Sequence, residues 1–130
     1  MRLLMIAGLA MAVTACSYQL WLRLDGDLGA PRIAITAPRI MQPKTCLARL
    51  WVAKASDPSN RLWEVSAEPN VCAPGAQIIY GQLPSGFSEK SEARTLEPGV
   101  LYEAVAVSRG VSGSIDFIFL EGGWKVVAEP

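Results

Sequence analysis

The sequence predicts an all-β fold: a single small β-sandwich, immunoglobulin-like or transthyretin-like, after an N-terminal signal helix. Three observations carry that expectation. Short runs rich in branched and aromatic residues recur along the chain, and Gly, Pro, Asn and Asp break them at close intervals. No stretch after residue 16 sustains the apolar period of about 3.6 that a helix requires. With 130 residues, 51% of them hydrophobic and 18% charged, the chain can bury one compact core.

The runs follow one another in order. "YQLWLRL" (18–24) ends at the turn-forming "DGDLGAP", and "RIAIT" (32–36) runs into the proline-bent "APRIMQPK". "CLARLWVAK" (46–54) and "RLWEVSAE" (61–68) are separated by "SDPSN"; "EPNVCAPGA" then leads to "QIIYGQL" (77–83). After the polar interval 84–99 come "VLYEAVAVS" (100–108), "SIDFIFL" (114–120) and "WKVVAE" (124–129). Eight such runs suit a sandwich of short strands.

Alternation assigns faces within them. Trp63, Val65 and Ala67 share one side of their run, with Glu64 and Ser66 opposite; Ile115, Phe117 and Phe119 align while Asp116 points away. In 100–108, Leu101, Val105 and Val107 share a side with Glu103, while Tyr102, Ala104 and Ala106 lie opposite. Both sides are apolar enough to predict a central strand covered on both faces. The stretch "SIDFIFLEGGWKVV" reads as a hairpin around Glu121, Gly122 and Gly123. "APRI" occurs at 30–33 and again at 37–40, too short and too few for a repeat architecture.

The first residues have a different character. Arg2 precedes the unbroken apolar run Leu3 to Val13, the arrangement of a secretory signal, and the run is shorter than the roughly 20 residues a membrane-spanning helix needs. It ends in "VTAC" (13–16), which resembles the lipobox of bacterial lipoproteins: an aliphatic residue, two small residues and an invariant cysteine. The resemblance implies cleavage between Ala15 and Cys16, diacylglycerol on the Cys16 thiol and an acylated new amino terminus. Residues 1–15 are then a cleaved signal peptide, 16–17 the lipid anchor and a short tether, and 18–130 the sandwich domain. Ser17, not being aspartate, resembles the sorting pattern for the periplasmic face of the outer membrane.

Export bears on the other cysteines. With Cys16 lipidated, Cys46 and Cys72 remain as a pair in an oxidising compartment, and a disulfide between them is expected to stabilise by about 3 kcal/mol. A metal site, which would lack both a Cys-x-x-Cys spacing and histidine, and two free buried thiols are the alternatives. The tether is short, so one end of the sandwich is expected to face lipid and the opposite loops the periplasm. Tyr18 and Trp21 then become candidate interface anchors.

Composition narrows function. Twelve basic side chains balance twelve acidic ones and there is no histidine, which gives no electrostatic draw to nucleic acid and no imidazole for catalysis or metal binding. Asp25 and Asp27 in "LDGDLG" lack the further oxygen donors calcium demands and read as a polar turn. The serines of "LPSGF" (83–87) and "GVSGS" (110–114) lack a base at a suitable spacing and read as hairpin loops. The interval 84–99 reads as a solvated loop; as a recognition loop it would offer Phe87, Glu89 and Lys90. The pattern "IIYGQLPSGF…LEPGVLYEAVAV" is similar to small exported β-domains of uncharacterised bacterial proteins, a similarity that assigns no functional residue.

The expected function is a lipid-anchored envelope protein acting as a structural or binding module without catalysis. Its partners are the membrane, through the lipid, and an envelope protein; no nucleic acid, metal or cofactor is expected. The alternatives are a small periplasmic inhibitor of a lysozyme or protease, inserting "SRGVSGS" (108–114) into an enzyme cleft, and a divergent hydrolase, which would need a pocket holding a Ser-Lys or paired-carboxylate site.

Overall fold

The computed structural model describes residues 19–36, 46–71, 77–108 and 110–127. Residues 1–15, expected above to be a signal helix, and Cys16, Ser17, Tyr18 and Cys72 lie outside them. The described chain forms nine strands and no helix: β1 Trp21–Asp27, β2 Ala30–Thr36, β3 Leu47–Lys54, β4 Asp57–Ala67, β5 Gln77–Ile79, β6 Phe87–Ser91, β7 Tyr102–Ser108, β8 Val111–Leu120 and β9 Gly123–Val127. They make two antiparallel sheets, a small one ordered β1-β2-β5 and a large one ordered β6-β4-β3-β7-β8-β9. Their apolar faces close on one core, a β-sandwich as the sequence predicts.

Alternation puts Leu50 and Val52 of β3, Trp63 and Val65 of β4, Tyr102 of β7 and Phe117 of β8 on the inner face of the large sheet. Leu22, Ile33, Ile35 and Ile78 meet them from the small sheet. Trp63 and Tyr80 stand edge to face with ring centroids 5.2 Å apart. The Trp63 indole nitrogen is buried and finds no hydrogen-bond partner among the described residues. β1 lies against β8 and β9 of the large sheet. The Leu20 amide donates to the Ser112 carbonyl at 3.1 Å, and at the other end the Trp124 indole donates to the Asp27 carbonyl at 3.0 Å. Gly113 makes that entry possible, because a Cβ at this position would overlap the Leu20 carbonyl oxygen.

β7 is central, as its composition predicts, but it is not covered on both sides. Tyr102, Ala104 and Ala106 are buried, whereas Glu103, Val105 and Val107 are half-buried on the outer face of the sheet. Small inward residues at 104 and 106, with Gly113 opposite Ala106, leave room for the start of β1. The hairpin between β8 and β9 turns on Glu121 (φ 53°) and Gly122 (φ 78°), two left-handed residues joining the pair Leu120 and Gly123. That is the geometry of a two-residue type I′ turn.

Three stretches read as loops differ. β6 forms inside the interval 84–99, because Phe87 inserts into the core and Ala67, Ser66 and Glu64 of β4 supply ladder partners to a strand whose own residues are mostly polar. "SDPSN" contributes Asp57 to Asn60 to β4, leaving Ala55 and Ser56 as the turn. In "GVSGS", the residues from Val111 onward belong to β8.

Candidate functional site

The chain between β6 and β7 is fixed at several backbone points. Its Arg94 amide donates to the Leu62 carbonyl at 3.1 Å, and the Arg94 carbonyl accepts from the Tyr80 hydroxyl at 2.6 Å. Leu96 is buried beneath it, the Glu97 amide donates to the Tyr102 hydroxyl at 2.7 Å, and the Gly99 amide donates to the Phe119 carbonyl at 3.0 Å. Burial pushes the Tyr80 hydroxyl up to about 12. The segment is therefore an ordered wall and not a slack connection.

Between this wall and the β3–β4 turn lies a hollow of about 230 Å³. Lys54 closes β3 on one side, Asp57 and Asn60 open β4 on another, and Arg94, Thr95 and Glu97 come from the wall, with the Tyr102 hydroxyl among the lining groups. Among the described residues neither Lys54 nor Arg94 is in an ion pair, so both cations can meet a ligand. A second hollow of about 410 Å³ shares Arg94 and adds Arg61, Ser91, Glu92 and Ala93. Asp57 and Glu97 are exposed. Donors and acceptors of both signs in a wet, shallow site suit recognition of a polar ligand.

Arg61 also belongs to the outer face of the large sheet. Its guanidinium lies 4.0 Å from the centre of the Trp51 ring and is paired with Glu64, while Arg49 stands 5.5 Å from the same ring. Glu64 is the cross-strand partner of Trp51, which brings the group together. Sequence reasoning did not find this stack. Its signal was the alternation of β3, which sends Arg49 and Trp51 outward once Leu50 and Val52 point in.

The residues singled out from the sequence lie apart. Trp21 is 62% exposed on the outer face of the small sheet. Phe87 is 5% exposed and belongs to the core, which corrects its reading as a recognition contact; Glu89 and Lys90 are exposed on the edge strand β6. Cys46 directly precedes β3 and is not a free thiol. Asp25 is ion-paired with Arg32 at 3.6 Å, and no group of three or more metal-ligating side chains occurs among the described residues. Within "SRGVSGS", Ser108 and Val111 are buried and Gly113 lies under Leu20. Among the described residues no helix is long and apolar enough to cross a membrane.

The fold and the hollow define a small antiparallel β-sandwich with a polar hollow at one end. No protein-family model matches the chain, and neither a curated protein nor a solved structure does.

Proposed function

We propose that the protein is a lipid-anchored component of the bacterial cell envelope, held at the periplasmic face of the outer membrane through Cys16, and that its domain is a non-catalytic binding or structural module. The observation that carries the reading is the "VTAC" lipobox set almost directly against a folded strand: β1 begins at Trp21, five residues after Cys16. The domain is thereby held against the bilayer. Trp21 projects from the outer face of the small sheet, two positions before Arg23, and a ring at that place suits the headgroup region. The hollow around Lys54 and Arg94 lies at the other end of the strands, open to the periplasm and to an envelope partner. A Cys46–Cys72 bond, fixing the start of β3 to the segment before β5, is part of the same proposal.

Cell fractionation tests the anchor. Cys16→Ser is expected to move the protein from the membrane to the soluble fraction, and continued sedimentation with membranes at unchanged electrophoretic mobility would overturn the reading. Non-reducing peptide mapping of the wild-type protein is expected to recover the 46–72 linkage; two freely alkylated thiols would remove it.

A further inference from the structure

The outer face of the small sheet is divided into two halves. Trp21, Arg23, Asp25 and Asp27 point outward from β1, and their cross-strand partners in β2 are Thr36, Ala34, Arg32 and Ala30. The half at the start of β1 carries one charge, Arg23, and no acid; Gln77 of β5, opposite Ala34, adds none. Both acids belong to the other half, where Asp25, the nearest acid to Arg23 along the strand, is held by Arg32 at 3.6 Å. Arg23 is exposed and in no ion pair among the described residues. Thr36 and Ala34 are short, so Trp21 stands clear of them and is the most exposed large apolar side chain among the described residues.

Chain connectivity limits how far this half can lie from a lipidated Cys16. Leu20 is fixed to the large sheet by its amide bond to the Ser112 carbonyl. It lies four residues after Cys16, a stretch that spans at most about 14 Å even when fully extended. Trp21 is the next residue. Asp25 and Asp27 follow about 13 Å and about 20 Å further along the strand.

We infer that the Trp21–Arg23 half of the small sheet is a binding surface for anionic phospholipid, an inference that rests on the lipid anchor at Cys16. The Trp21 ring enters the headgroup layer, where an indole places its apolar body and its N–H on the two sides of the boundary. The Arg23 guanidinium donates to a lipid phosphate, an acceptor that its planar fork fits. Lying flat would press Asp25 and Asp27 against the same anionic surface, which repels them. The sandwich therefore stands tilted on its chain-entry end, with the acidic half of the small sheet held above the headgroups and the hollow around Lys54 and Arg94 turned away from lipid.

The lipidated chain reconstituted into vesicles provides the test. A fluorophore is attached through Thr36→Cys, beside Trp21, or through Ala30→Cys, about 20 Å away at the other end of β2; both sites are exposed. On vesicles of mixed phosphatidylglycerol and phosphatidylcholine, quenchers at headgroup depth are expected to reach the probe at 36 and not the probe at 30. Arg23→Gln is expected to lower the ratio of quenched to unquenched protein at 36 about fivefold on these vesicles and to leave it unchanged on pure phosphatidylcholine. Trp21→Ala is expected to lower it on both. A chain that fails to float with the vesicles would remove the anchor and this inference with it. Flotation with equal quenching of the two probes, or quenching at 36 that ignores the anionic lipid, would overturn the inference and leave the anchor standing. A probe at 36 equally shielded in detergent without phospholipid would mark a protein contact there and overturn it too.

Discussion

Replacing Gly113 with alanine tests the entry of the chain into the fold. Gly113 does not have the positive φ that demands glycine, and at such a position a change to alanine ordinarily stabilises by about 0.4–1 kcal/mol through the unfolded state. Here the added methyl would overlap the Leu20 carbonyl oxygen and lie 2.8 Å from its carbonyl carbon, both backbone atoms. Relief requires Leu20 to move by about 1 Å, which strains its hydrogen bond to the Ser112 carbonyl, a contact of about 0.5–1.5 kcal/mol, and pulls a side chain only 4% exposed out of the core. With about 1–3 kcal/mol for overpacking, the expected loss is about 2–4 kcal/mol, or roughly 10–25 °C in Tm for a domain of this size. Thermal unfolding followed by circular dichroism measures it. Gly123→Ala, where an added Cβ would meet nothing within 4 Å, serves as the control and is expected to be neutral or slightly stabilising. A Gly113→Ala protein melting at or above wild type would refute the account of how β1 is seated.

Two further expectations follow from single residues. Glu121 occupies a left-handed conformation at φ 53°, so Glu121→Asn, which gives the Asn-Gly pair favoured in type I′ turns, is expected to raise stability by about 0.5–1 kcal/mol in urea titrations; a lower midpoint would contradict the turn assignment. Tyr80 ionises at about 12 in the fold against its ordinary 10.0, so the unfolded chain loses that proton first and stability falls as pH rises from 10 toward 12, by at most about 1.4 kcal/mol per pH unit. Its contribution is fully present below pH 10. Tyr80→Phe is expected to flatten that slope, and an unchanged slope would place the hydroxyl in water.

The elements easiest to read were those whose own residues decide them. In 114–120 the alternation assigns Phe117 inward without reference to any other strand, and Gly122 marks the following turn. β6 was invisible for the opposite reason: only Phe87 is apolar in "FSEKS", and the strand exists because β4 offers it a ladder. The tripeptide Arg-Leu-Trp occurs at 49–51 and at 61–63, and the two tryptophans go to opposite faces, Trp51 outward and Trp63 inward. The regular register sets Trp51 opposite Glu64 and Trp63 opposite Val52, and a register shift between Val52 and Lys54 accompanies the burial of Leu62 beside Trp63. Such a shift is a property of two strands together, as is the meeting of Arg61 with Trp51. The hollow at the end of the sheet was hidden similarly, because the wall that forms it depends on the buried Tyr80 hydroxyl finding the Arg94 carbonyl fourteen residues along the chain and on the Tyr102 hydroxyl accepting from the Glu97 amide.

Trp63 gives the molecule a reporter of its own folding. Of the four tryptophans, Trp21 is largely in water, Trp51 sits beside two guanidiniums and Trp124 donates to a carbonyl. Trp63 alone is fully buried, so its emission is expected at the blue end of the tryptophan range. With the indole fully buried between the sheets, exchange of its proton with heavy water is expected to report opening of the core and not fraying at the edges.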